Sequence, residues 1–73
     1  MAEKPTELNK LVTIATDLQL VAELRIKAIE QIGSLGTHEA LLSLLELAAN
    51  TGLIRTEREL ALKHAREIIK SSD

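Results

Sequence analysis

Between Leu24 and Asn50 the chain reads LRIKAIEQIGSLGTHEALLSLLELAAN, a run of helix formers cut at one place by Gly-Ser-Leu-Gly-Thr. That cut constrains the fold more than any other feature. Gly33 or Gly36 can take positive φ beyond a helix end, and Thr37 is a good N-cap for a new helix. So short a link turns the second helix back against the first, antiparallel, with Leu35 placed to plug the open end of the pair. The remaining punctuation follows the same logic. Pro5 and Thr6 open a first helix, with Thr6 as N-cap, and Thr16 to Gln19 separate it from the next. Asn50 to Arg55 make the last break, with Gly52 at the C′ position, and Thr56 to Glu59 read as a capping box. Helices are predicted near 7–17, 21–33, 38–50 and 57–71, in one domain covering residues 1–73, with 1–5 and 72–73 frayed. Sustained strand-type alternation is absent, so the class is all-α.

Composition narrows the chemistry. The 73 residues contain no cysteine and no aromatic residue, and only two histidines, His38 and His64. Disulfides, thiolate metal sites and a zinc cage are therefore excluded, as are base-stacking platforms. The net charge of −2 argues against a nucleic-acid binder. No run is apolar enough to span a membrane, and the start MAEKPTELNK lacks a signal-peptide core, so a cytoplasmic protein is expected. No Ser or Thr has a His and a carboxylate at triad spacing, and no glycine-rich phosphate loop exists. The chain is not expected to be an enzyme or to hold a cofactor or metal.

At about 100° per residue the helix faces can be mapped. Glu39, Ser43, Glu46 and Asn50 form one narrow polar stripe on the third helix, and leucines and alanines cover the rest, which predicts the most buried helix of the four. The terminal helices read as half-exposed. Arg25 stands out in the apolar arc of the second helix, beside Ile29 and Ile32. A buried guanidinium needs acceptors, and the expected ones are Asp17 or loop carbonyls of the preceding turn. Anion binding by Arg25 is the second reading. His38 and His64 are expected on solvated surface, and Glu57 and Glu59 read as ordinary helix-surface charges.

The first helix overlays the third at a shift of about 33 residues, and the second overlays the fourth at about 36 or 37, with residues 53–58 taken as an insertion. Leu24-Arg25, Ala28, Ile32-Gly33, Leu35-Gly36, Glu39-Ala40 and Leu44 fall where a known pattern has them. This stretch resembles the HEAT-like repeat of the phycobilisome-lyase-type HEAT proteins. Gln31 departs from the pattern, and the second copy lacks the Arg, where Leu62 stands, and the Gly, where Lys70 stands. The resemblance implies a HEAT-like α-solenoid fragment: a four-helix stack of two α-α hairpins. It also implies Arg–Asp bracing between Arg25 and Asp17, and structural roles for Ala28, Gly33 and Gly36. The second helix of each pair would line a concave, partner-binding surface. Glu23, Lys27 and Glu30 are then candidate contacts on the second helix, with Lys63, Arg66 and Lys70 on the fourth.

Two functions follow. The first is a protein–protein interaction module, an adaptor or scaffold. Its fourth helix docks a partner protein or a second copy (a homo-oligomer), with Leu60 exposed at the contact. The second is a helix-turn-helix DNA-binding domain. Ala48, Gly52 and Leu53 supply the turn cue, and the helix near 57–71 would carry recognition through Arg55, Arg58, Lys63, His64 and Arg66.

Overall fold

The computed structural model describes residues 4–71, with side chains from Glu7 onward. Four helices account for most of it: α1 (Lys4–Ala15), α2 (Ala22–Leu35), α3 (His38–Ala48) and α4 (Arg55–Ser71). No strand occurs among the described residues, and the fold is all-α. Residues 1–3 and 72–73 of the segments expected to fray lie outside the described residues. Lys4 and Pro5 are helical.

Each helix boundary has a local cause. α1 starts earlier than expected because Pro5 fits inside a first turn, where its missing N–H costs nothing. Thr6 is therefore a helical residue, not the cap. α1 ends at Ala15, where the Thr16 hydroxyl donates back to the Val12 carbonyl and Asp17 Oδ1 accepts from the Gln19 amide at 2.9 Å. Gly33 does not end α2. It is helical, and the reversal falls on Gly36 (φ 65°), so the link to α3 is only Gly36-Thr37. Thr37 Oγ1 accepts from the Ala40 amide at 3.0 Å, capping α3.

The last break also departs from expectation. α3 stops at Ala48, and Asn50 Oδ1 accepts from the Gly52 amide at 2.8 Å. Gly52 is not left-handed, since the asparagine side chain already shapes this turn. α4 begins at Arg55, which places Thr56 inside the first turn. No capping box forms, and Glu59 pairs with Arg55 at 3.1 Å instead.

α1 packs on α2 and α3 packs on α4, these being the two most extensive contacts. The pairs join mainly through α2 against α4, with a smaller contact of α2 with α3. α2 and α4 are thus the centre, and the expectation of a fully surrounded α3 is corrected. α3 buries Ala40, Leu44 and Leu47 on one side, while Leu42 and Leu45 on the other are 49% and 40% exposed. No described helix covers them. Leu35 is also exposed and plugs nothing.

Gly33 has a different task from the one expected. A Cβ built there would lie 2.6 Å from His64 Nδ1 and 3.0 Å from His64 Cβ. The bare glycine lets α4 lay His64 directly on α2. Ala28 on α2 and Ala61 and Ala65 on α4 are also buried, and such small side chains allow close helix approach.

The two pairs repeat at a constant interval of 33 residues. Asp17 and Asn50 form matching side-chain turns with Gln19 and Gly52. The Leu20 amide donates to the Asp17 carbonyl and the Leu53 amide to the Asn50 carbonyl, both at 3.1 Å. Val21 accepts from Leu24 and Arg25 as Ile54 accepts from Glu57 and Arg58. The offset of 36 or 37 for the second and fourth helices is therefore wrong, and nothing is inserted at 53–58. The error came from starting the fourth helix late, which slid its apolar stripe by one turn. In the corrected register Arg58, not Leu62, is the counterpart of Arg25, and Arg66, not Lys70, that of Gly33.

Candidate interaction surface

Arg25 rises from the inner side of α2 and is only 7% exposed. Its Nε lies 3.2 Å from both carboxylate oxygens of Glu57, and its Nη2 lies 3.0 Å from Glu57 Oε2. Nη1 donates to the Leu20 carbonyl at 2.6 Å and to the Asp17 carbonyl at 3.4 Å. The acceptors from the preceding turn are thus main-chain carbonyls. The Asp17 carboxylate is engaged with Gln19 and does not brace Arg25.

Glu57 is fully buried, which corrects its reading as a surface charge. It belongs to α4, and its side chain bridges the two pairs. One signal for it was present in the sequence. Glu57 shares a face with Ala61 and Ile68, so it is a lone carboxylate on an apolar stripe, as Arg25 is a lone cation on another. The late helix start hid it.

A bidentate pair with extra carbonyl acceptors satisfies both charges in the interior. It also leaves the cluster closed: every nitrogen of the guanidinium is engaged, and Glu57 has no access to solvent. The pair fixes the register of the two units and offers no site to a substrate or anion. Among the described residues no group of three or more His, Asp or Glu side chains could hold a metal ion.

The other expected site residues are dispersed. Glu23, Lys27 and Glu30 are exposed on α2, and Lys63, Arg66 and Lys70 are exposed on α4, each set on the side turned away from its helix's core residues. His38 is exposed. Leu60 is not an exposed contact: it is half-buried and packs against the core. His64 is not fully solvated either. Its ring lies over Gly33 with Nδ1 3.5 Å from Glu67 Oε1, because it points towards α2 rather than outward.

Two open grooves lie on opposite sides of the paired helices. An open groove between α1 and α2 is lined chiefly by Leu11, Ile14, Leu20, Leu24 and Ala28. Thirty-three residues on, their counterparts are Leu44, Leu47, Leu53, Glu57 and Ala61, all buried. These are residues through which the second pair is packed into the core. The first pair carries the same face with nothing upon it.

At the opposite end a groove between α3 and α4 is lined by Ala48, Arg55, Arg58, Glu59 and Leu62. The first-pair counterparts of Ala48 and Leu62 are Ala15 and Ile29, both fully buried, whereas Leu62 is 39% exposed. Arg58 is half-buried, and its Nε is buried with no hydrogen-bond partner among the described residues. From the sequence Arg58 was read only as part of a DNA-recognition helix, and its equivalence to Arg25 was missed because the wrong register matched Leu62 to Arg25.

Comparison with models of known families, with curated proteins and with solved structures finds no match to this chain.

Proposed function

We propose that this chain is a protein–protein interaction module, a cytoplasmic adaptor or scaffold of two HEAT-like units with no catalytic activity of its own. One observation carries the reading. Residues that the first pair buries against the second recur in the second pair, at the same interval, and are left uncovered. Ile29 is fully buried while Leu62 is 39% exposed. A stack of equivalent units has this property at its ends, and end faces are where another protein adds on. The pairing of α1 with α2 and α3 with α4, joined through the two second helices, supports the HEAT-like assignment. No described helix is long and apolar enough to cross a membrane.

The helix-turn-helix alternative loses support from the same facts. Its diagnostic turn is the Asn50–Gly52 turn, and an equivalent turn recurs between α1 and α2. Arg55, which would face DNA, is tied to Glu59. Titration with random-sequence duplex DNA at low salt should give no complex; a tight one would restore that alternative.

The absence of cysteine makes the positive test specific. A photoreactive group on Leu62→Cys should cross-link a discrete protein in a cell extract. The same group on His38→Cys, which lines neither groove, should not. Identical cross-linking from both positions would remove the support for an end-face interaction module.

A further inference from the structure

Arg25 and Arg58 are the same residue in successive units, in opposite states. Arg25 is saturated, and the acceptor it takes from outside its own unit is Glu57, one carboxylate from the first turn of the next unit's second helix. Arg58 makes no side-chain hydrogen bond or ion pair among the described residues, and its Nε is buried without an acceptor. A buried N–H left without an acceptor destabilises the chain that carries it, so such a group calls for a partner. It sits beside Leu62 in an open groove, where an incoming helix can supply one.

Resting on the interaction-module reading, we propose that the α3–α4 face docks a helix of a partner protein that delivers a carboxylate to Arg58, as α4 delivers Glu57 to Arg25. The partner's helix carries an Asp or Glu in its first turn on an otherwise small and apolar face, the pattern of Glu57, Ala61, Ala65 and Ile68 in α4. Charge selects for it: Arg66 is exposed on the same helix, and the carboxylate of Glu59 is already held by Arg55. The apolar centre at Leu62 and Ala48 with a polar rim at Arg55 and Glu59 suits a partner that comes and goes.

A second copy of this chain does not meet the requirement. Stacked head to tail, it would bring Leu24 to the place of Glu57, and Arg58 would be buried against a leucine. That mismatch works against the open-ended filaments that head-to-tail contacts otherwise generate.

The same mismatch supplies the probe. Leu24 is 46% exposed, so Leu24→Glu is a surface change that leaves the core intact. A donor chain with Leu24→Glu and Arg58→Gln presents a carboxylate at one end and is blocked at the other. Circular dichroism confirms that it folds. Mixed with the wild-type chain, it should form a one-to-one complex in sedimentation. The Arg58 Nε–H signal of the wild-type chain should move in a proton–nitrogen spectrum. A Leu24→Gln, Arg58→Gln donor should bind at least about tenfold more weakly, the scale of a charge-assisted hydrogen bond. An Arg58→Gln receptor should lose affinity by a similar factor.

Equal binding by the two donors, with Leu62→Asp still abolishing it, would overturn carboxylate recognition and leave the interaction-module reading standing. No complex with the folded Leu24→Glu donor, and no change in the Arg58 signal, would overturn the proposal, while cross-linking at Leu62→Cys would still decide the broader reading. If the fold of Leu24→Glu is disturbed, the single variant Arg58→Gln decides: unaltered cross-linking to the protein captured through Leu62→Cys refutes the role of the guanidinium.

Discussion

The two arginines on the inner sides of α2 and α4 differ in almost everything except position. Arg25 lies under the second unit, with its nitrogens engaged by a buried carboxylate and two carbonyls. Arg58 lies at an open end with its Nε unsatisfied. Around Arg25 the apolar residues Ala15 and Ile29 are sealed, and around Arg58 their counterparts Ala48 and Leu62 are not. The side chains are identical and their helices begin with the same turn hydrogen bonds, so the difference is not a local one. It is made by the neighbour that covers one unit and not the other. The same guanidinium is a fastening in one setting and an unmet donor in the other.

Substitutions can break this contrast, and the largest effect should come at the covered arginine. Arg25→Leu leaves the Glu57 charge buried without a partner and should destabilise the fold by about 3–5 kcal/mol. The double variant Arg25→Leu, Glu57→Leu should recover much of that loss in denaturant unfolding. A double variant as unstable as the sum of the singles would show that the pair does not act as a unit.

Next in size is the core that both units share. Leu44→Ala opens a cavity beneath α3 and should cost about 2–5 kcal/mol, whereas Leu42→Ala, two residues away on the uncovered side, should stay within about 0.5 kcal/mol. Comparable losses at the two positions would contradict the one-sided burial of α3.

A smaller effect is expected where α4 rests on α2. Gly33→Ala forces a Cβ against the base of the His64 side chain, and overpacking of this kind costs about 1–3 kcal/mol, partly offset by the roughly 1 kcal/mol that alanine gains in a helix. In a His64→Ala background the ring contacts at 2.6 and 2.8 Å are gone and only the Cβ at 3.0 Å stays close, so Gly33→Ala should lower the melting temperature clearly less than it does in the wild-type chain.

The smallest effect sharpens the comparison most. Arg58→Leu removes an unsatisfied buried N–H and should leave the stability of the isolated chain unchanged or raise it slightly, by no more than about 1 kcal/mol. If Arg58→Leu proves as costly as Arg25→Leu, the two ends of the stack are not in different states and the argument from the open face fails.

Much of the architecture was legible one residue at a time. Thr37 and the Gly33–Gly36 stretch placed the central reversal to within a turn, because a hydroxyl cap and a left-handed glycine are local devices that need no tertiary information, though only the structure chose Gly36 over Gly33. Arg25 was legible as a buried cation needing acceptors, since its place in an apolar arc follows from helical periodicity alone. Its actual carboxylate was not. Glu57 is remote in sequence, and one misplaced helix start at Thr56 moved it from a core stripe to an imagined insertion. The error propagated: a shift of one turn gave the wrong repeat interval, matched Leu62 to Arg25 and left Arg58 only as a residue of a DNA-recognition helix. Cap signals fix a helix start only when the capping side chain is used, and here Glu59 bonds Arg55 instead.

The sequence by itself determined that this chain is helical, roughly where its three breaks fall and that Arg25 sits on an apolar stripe, because those follow from backbone preferences and side-chain period. Tertiary structure alone decided which helices became the centre. Leucine content pointed to α3, but burial depends on having neighbours on every side. α2 and α4 took the centre, because Gly33 lets His64 of α4 rest directly on α2 while Arg25 and Glu57 could neutralise each other only across that contact.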